Sequence, residues 1–269
     1  MLRFSVITPS YNRPQELKRC LDSLLAQTYT HWQVIVVNDG SSADYSSLEP
    51  YWQHAQIRYL AQTENRGVNQ ARNIALEQAP AEVTDYLCFV DDDEYLVPEA
   101  FAIANALLTK NPQAWLVLQC FLNNNNKTYM ARSGPMDYID DYLYGTSLKK
   151  DATHFIQVDL AKLARFSSFV RNGEEWIYFA TLAKHSSCWA EQIPVKYNLH
   201  QPQGLSLGNM HGKSVLKPYL MKWYRPYVAV KLRPHNAKAW QALILQILKL
   251  PLRLPQMSFK IIKNIFSSS

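Results

Sequence analysis

The 269-residue chain reads as an α/β protein with a mostly parallel sheet flanked by helices and a basic helical carboxyl-terminal appendage. Three observations predict this. Short β-branched apolar runs alternate with segments of helical periodicity, the pattern of βαβ units, because parallel strands need crossover connections. The strand-like runs end abruptly at polar clusters, and such sheets bind ligands outside the carboxyl ends of their strands. Acidic residues stop at Glu191 while basic ones continue to Lys263, which marks off the last part of the chain.

The elements follow in order. Phe4–Thr8 is a buried strand ending at Pro9. Asn12-Arg13-Pro14 supplies a capping residue and a proline at a helix start, and Leu17, Leu21, Leu24 and Leu25 follow on one helix face. Trp32–Val37 is a second strand, stopping at Asn38-Asp39-Gly40-Ser41, and Ile57–Leu60 is a third. Val68–Gln78 is a helix with Ala71, Ile74 and Ala75 inward. Tyr86–Val90 is a strand running into Asp91-Asp92-Asp93-Glu94; Pro98–Leu108 is a helix and Trp115–Leu122 a strand. Residues 123–150, with four consecutive Asn and Gly134, Pro135 and Gly145, read as a long mobile loop.

Composition narrows the function. At 48% hydrophobic and 19% charged, the chain can bury a substantial core and is not a disordered polymer. Cys20, Cys88, Cys120 and Cys188 are scattered without a CxxC pair and read as reduced core thiols, not as a disulfide frame or zinc site. No secretory signal opens the chain and no apolar run approaches the ~18 residues that span a bilayer, so a cytoplasmic protein that does not cross a membrane is expected. Neither GxGxxG after the first strand nor GxxxxGK[ST] is present, which argues against a Rossmann dehydrogenase and a P-loop NTPase.

The acidic run carries the sharpest chemistry. In an extended segment residues i and i+2 project to one side, so Asp91 and Asp93 can converge on a point, and hard oxygen donors suit Mg²⁺ or Mn²⁺. The competing reading is a solvated acidic turn before a helix; the position at a strand's carboxyl end favours metal. For Asp39 an Asx-turn is the plain reading, because Asp-Gly is a strong turn dipeptide. Tyr11 is either a surface aromatic or a stacking platform for a base. Glu174 and Glu175 precede an apolar helical stretch, where first-turn acids complement the helix dipole as readily as they catalyse.

Together these segments resemble the family-two inverting glycosyltransferases of GT-A fold. The resemblance runs through FSVITPSYNRPQELKRCLDSLLAQTYTHWQVIVVNDGSSADYS, ENRGVNQARNIALEQA and CFVDDDEYLVPEA, the last matching the family's DXD segment. It continues in GEEWIYFATLAK, where Asp is commoner than Glu at the second acidic position. It implies a GT-A domain over 1–210, with a nucleotide-binding half over 1–108 and an acceptor-binding half over 109–210. Pro9 and Tyr11 would frame the base and Asp39 would bond the uracil. Arg72 would lie near the diphosphate or orient Asp39, and Asp91 and Asp92 would line the donor site. Asp93, with Asp91 and His200, would hold Mn²⁺ or Mg²⁺. Glu175 matches the general base, with Glu174 the second choice. The implied reaction is a metal-assisted single displacement: a sugar passes from a UDP-sugar to a hydroxyl of a surface polysaccharide or lipid-linked oligosaccharide.

Residues 211–269 form the appendage, a basic amphipathic tail. Its Lys and Arg interleave with Trp223, Tyr224, Trp240, Ile244, Leu248 and Phe259, which suits an anionic membrane surface better than packing on the domain, and either better than nucleic acid. A peripheral location on the inner face of the cell membrane follows as the expectation. Two rivals remain: a non-catalytic partner of a glycan-assembly complex, and a sugar nucleotidyltransferase, which the glycine-free TPSYNRP segment disfavours.

Overall fold

A computed structural model describes residues 1–122, 126–149, 151–168, 170–198 and 217–249, the first five of the last stretch by backbone alone. The chain divides into two compact units, Met1–Leu205 and Ser206–Ser269.

The first unit is a sheet covered by helices. Its amino-terminal half consists of β1 (Phe4–Ser10), α1 (Pro14–Leu25), β2 (Trp32–Asn38), the single turn α2 (Glu49–Trp52), β3 (Ile57–Ala61), α3 (Val68–Gln78) and β4 (Tyr86–Phe89). Next come β5 (Glu94–Leu96), α4 (Ala100–Lys110), β6 (Trp115–Phe121), β7 (Tyr129–Met130), β8 (Gly134–Met136) and β9 (Leu148–Lys149). The unit closes with β10 (Ala152–Gln157), the single turn α5 (Val158–Ala161), α6 (Trp176–Leu182) and β11 (Cys188–Asn198). The main sheet runs β3-β2-β1-β4-β10-β6-β11-β5, with β8 added to β11, while β7 and β9 pair separately.

The first four strands are mutually parallel, as alternating strands and helices require. Beyond them the sheet is mixed: β10 lies antiparallel between β4 and β6, and β11 runs parallel to β6 but antiparallel to β5. Every residue of β1 is buried, because a central strand is covered on both faces. One core face joins Phe4, Leu17, Leu21, Leu24, Val34, Phe101, Leu116 and Phe155. Burial of side chains of this size stabilises by roughly 1.5–3 kcal/mol each. The four cysteines are free and buried.

Three sequence expectations change. Residues 123–150 hold β7, β8, β9 and a π-helical turn at Tyr138–Leu143, in place of an open loop. Asp137 organises that turn, its carboxylate accepting from the Ile139 and Asp140 amides. Asn12 does not cap α1: it sits at φ +56°, and its side-chain oxygen accepts from the Ser42 and Ala43 amides of the loop after β2. Lys196, first of the basic residues after Glu191, belongs to β11 and is buried.

In the second unit α7 (Lys217–Leu232) and α8 (Ala237–Leu248) pack on each other. Asn236 caps α8, accepting from the Ala239 amide at 2.7 Å. No helix among the described residues is long and apolar enough to cross a membrane.

Candidate active site

The carboxyl ends of β1, β2 and β4 bring together segments that lie far apart in the chain. Pro9 and Ser10 are buried at the end of β1, and Tyr11 emerges beyond them, 45% exposed. Asp39 follows β2 and is buried, its two carboxylate oxygens accepting from the Arg66 amide at 2.8 Å and the Gly67 amide at 2.7 Å. Those amides precede α3, so Asp39 satisfies donors at a helix start. The side chain that bonds this turn is its neighbour's: Asn38 Oδ1 accepts from the Ser41 amide, three residues on. Gly67 sits at φ +94°, and a Cβ there would lie 2.4 Å from the Arg171 carbonyl oxygen, so only glycine fits.

The acidic run is a turn, not an extended segment, with the Glu94 amide donating to the Asp91 carbonyl at 3.0 Å. The same-side geometry expected of Asp91 and Asp93 therefore does not apply, and different arginines hold the two. Arg72 donates through Nη2 to both Asp91 oxygens at 2.6 and 2.9 Å, and Arg13 Nη1 donates to Asp93 at 2.7 Å. Arg13 also reaches Asp92 at 3.3 Å, but Asp92 is buried and faces away from solvent. Burial pushes the Asp92 carboxyl up to about 7, Arg13 opposing and Asp93 reinforcing. Asp93 is raised too, by burial and then by the Asp91 charge, with Arg13 opposing. Burial would also raise Asp91, but the Arg72 guanidinium outweighs it and holds this carboxyl below its ordinary value.

Behind the turn, Glu94 Oε2 accepts from Lys196 Nζ at 2.6 Å and from the Asp91 amide at 3.0 Å. Both side chains of the pair are under one-tenth exposed. Burial works against the Lys196 charge; Glu94 outweighs it and keeps the ammonium protonated well above its usual range. The pair ties the acidic turn to β11.

Arg72 makes the central connection. Its guanidinium is 5% exposed and lies 5.4 Å from the Phe166 ring centre. Through Nη1 it donates to Glu175 Oε1 at 2.8 Å, so one cation bridges Asp91 and Glu175. It is engaged with Asp91 and Glu175, not with Asp39, whose carboxylate accepts from backbone amides. Glu175 lies directly before α6 with its side chain 41% exposed. Glu174 points elsewhere, accepting from the Trp176 indole, and holds a left-handed φ of +60° next to Gly173 at +76°. A non-glycine residue in that region costs of order 1–3 kcal/mol and is concentrated at functional sites. His200 lies outside the described residues.

Two site residues escaped the sequence reading. Asn69 Nδ2 donates to the Ser167, Val170 and Gly173 carbonyls, at 3.2, 2.7 and 3.0 Å. Asn73 exchanges bonds with the Phe166 backbone at 2.8 and 3.0 Å. With Arg72 they form a polar stripe on α3 that grips the segment carrying Glu175. The signal was in the sequence: Asn69, Arg72 and Asn73 sit at i, i+3 and i+4, one face of a helix.

Among the described residues no group of three or more His, Cys, Asp and Glu side chains is arranged to hold a metal ion. Mg²⁺ needs only one or two protein carboxylates when diphosphate oxygens complete its shell. Asp91 and Asp93 are oxygen donors of the right chemistry, and the carboxyl of Asp93 is raised by burial first and then by the Asp91 charge, the second of which a cation would relieve.

The model of the family described as Glycosyl transferase family 2 matches residues 5–171. The chain is 34% identical over 101 residues to the uncharacterised glycosyltransferase YibD of Escherichia coli K12, covering 37% of this chain and 28% of that protein. It is 27% identical over 122 residues to WfgD of E. coli, a UDP-Glc:α-D-GlcNAc-diphosphoundecaprenol β-1,3-glucosyltransferase, covering 45% and 47%. Each match therefore spans less than half of the relative's length. Among solved structures, Staphylococcus aureus TarS 1–349 in complex with UDP-GlcNAc superposes with a TM-score of 0.70 at 18% identity, covering 91% of this chain and 72% of that one. Its resemblance is one of fold. The βαβ half, the acidic turn and the segment gripped by α3 all lie in or beside the matched span, and the chain belongs to glycosyl transferase family 2.

Proposed function

We propose that the protein transfers a sugar from a UDP-sugar to an acceptor hydroxyl by a single displacement with inversion, in the synthesis of a surface polysaccharide or lipid-linked oligosaccharide. The observation that carries this reading is the Arg72 bridge, which sets Asp91 and Glu175 on either side of one buried guanidinium. Tyr11 is exposed for stacking on the base, and the Asp39 amide at the end of β2 donates to the carbonyl of the preceding Ser10. Mn²⁺ or Mg²⁺ would be held by Asp93 with Asp91 beside it, supplying charge neutralisation to the departing diphosphate. Glu175 keeps Oε1 on Arg72, which leaves Oε2 to take the acceptor's proton as the hydroxyl attacks from the far face. No second acid is needed, because a nucleoside diphosphate is already a good leaving group. A lipid-linked acceptor is supported by the likeness to WfgD, which acts on a diphosphoundecaprenol-linked sugar, and such an acceptor would have the enzyme work at a membrane surface.

Titrating UDP calorimetrically with and without Mn²⁺ tests the donor site. Binding should require the metal and be lost in Asp93→Ala; metal-independent binding unchanged in that variant would refute the assignment. Glu175→Gln should retain UDP binding while turnover drops about 10²–10⁴-fold, the contribution expected of a general base.

A further inference from the structure

We propose that the outward face of α8 lies on an anionic lipid bilayer. Trp240, Ile244, Ile247 and Leu248 follow the i, i+4, i+7, i+8 spacing of one helix face and are 44, 49, 52 and 67% exposed. Leu245 extends the face and is equally open at 49%. The opposite side carries the buried Ala239, with α7 packed alongside. Five large exposed apolar side chains on a 12-residue helix are more than scattered surface hydrophobics.

Charge chooses the occupant. Between Lys217 and Lys249 there are seven Lys or Arg and no Asp or Glu. Lys238 and Lys249 are eleven residues apart, about three turns, so they align along the edge of the apolar face beside Leu245. Both are exposed. Apolar side chains that can sink between headgroups, an indole at the boundary and lysines along the rim match a membrane surface bearing negative headgroups. A helix of this length, ~18 Å, lies on a bilayer and does not span it. The inference stands apart from the donor-site reading and gives that reading a means of concentrating enzyme at a lipid-linked acceptor.

Flotation of the full chain with vesicles of phosphatidylglycerol and phosphatidylethanolamine, against phosphatidylcholine alone, tests it. Binding to the anionic vesicles is expected, weakening as salt is raised, with little to phosphatidylcholine. Lys238→Gln with Lys249→Gln should weaken it about fivefold per lysine, and Ile244→Ser with Leu248→Ser about tenfold or more. UDP titration of each variant verifies that the first unit is intact. Vesicle binding equal to wild type in the serine variant would overturn the proposal. So would a wild-type dimer that ignores vesicles and becomes monomeric in that variant, which would assign the face to self-association. Wild-type protein that binds anionic vesicles but not UDP would count against the donor site alone.

Discussion

Helices α3 and α8 break the usual apolar-in, polar-out rule in opposite directions. α3 turns Asn69, Arg72 and Asn73 inward, and all three are buried. α8 turns Trp240, Ile247 and Leu248 outward. On α3 the cost of burying amides and a guanidinium is offset by the carbonyls of residues 166–173 and the carboxylates of Asp91 and Glu175, so the violation organises a site. On α8 large apolar side chains are exposed on a helix without acidic residues, the observation from which a lipid-facing surface is proposed. Departures from binary patterning thus carry the functional content of both units, and the buried or exposed side decides which kind.

Lysines give the largest contrast. Lys196→Met leaves Glu94 in the core without its counter-ion and should destabilise the first unit by about 3–5 kcal/mol in urea unfolding, the cost of breaking a buried pair. Lys249→Met, on an exposed residue, should change stability by less than about 0.5 kcal/mol. Equal effects would mean the two basic residues are not in different environments. Asn69→Ala strips donors from three carbonyls and should cost about 1–3 kcal/mol, with turnover falling as the Glu175 segment loosens. Unchanged stability and turnover would remove α3 from the site.

Acid should act on the sheet. His154 is buried between Trp115 and Phe179, and burial, with the Lys196 charge adding, pushes its imidazole from 6.5 down to about 3. The folded state keeps it neutral while the unfolded chain takes a proton near 6.5. Its contribution is therefore complete above that pH and drains as pH falls towards 3, at up to about 1.4 kcal/mol per pH unit. His154→Phe should flatten that slope in stability measured between pH 6 and pH 4 (roughly the upper part of the window). The smallest effect belongs to α8: Leu248→Ser should leave stability within about 0.5 kcal/mol while lowering vesicle binding.

Much of this was legible in one dimension. The strands β1, β2, β3, β4 and β6 and the helix α3 fall where apolar runs and helical spacing place them, because local pattern reports burial directly. Asp39, Asp91, Asp93 and Glu175 stood out through their order and resemblance, and of these the structure joins Asp91 and Glu175 on one arginine. What was misread depended on partners far away in sequence. Asn12 looked like a helix cap until Ser42 and Ala43 claimed its oxygen. Lys196, just beyond the last acidic residue, shows no local mark of a buried partner; Glu94, about a hundred residues earlier, meets it across β5 and β11. The strand β10 lacks a local signature strong enough to show that it inserts antiparallel between β4 and β6.

The sequence by itself determined the βαβ half, the family and the division between an acidic body and a basic end, since periodicity, motif order and charge are all local. Tertiary structure alone decided that the acidic run is a turn, that separate arginines hold Asp91 and Asp93, and that Arg72 joins Asp91 to Glu175. Those are pairings between segments up to 103 residues apart. A guanidinium buried on α3 finds its carboxylates only once the sheet has brought them to the same edge.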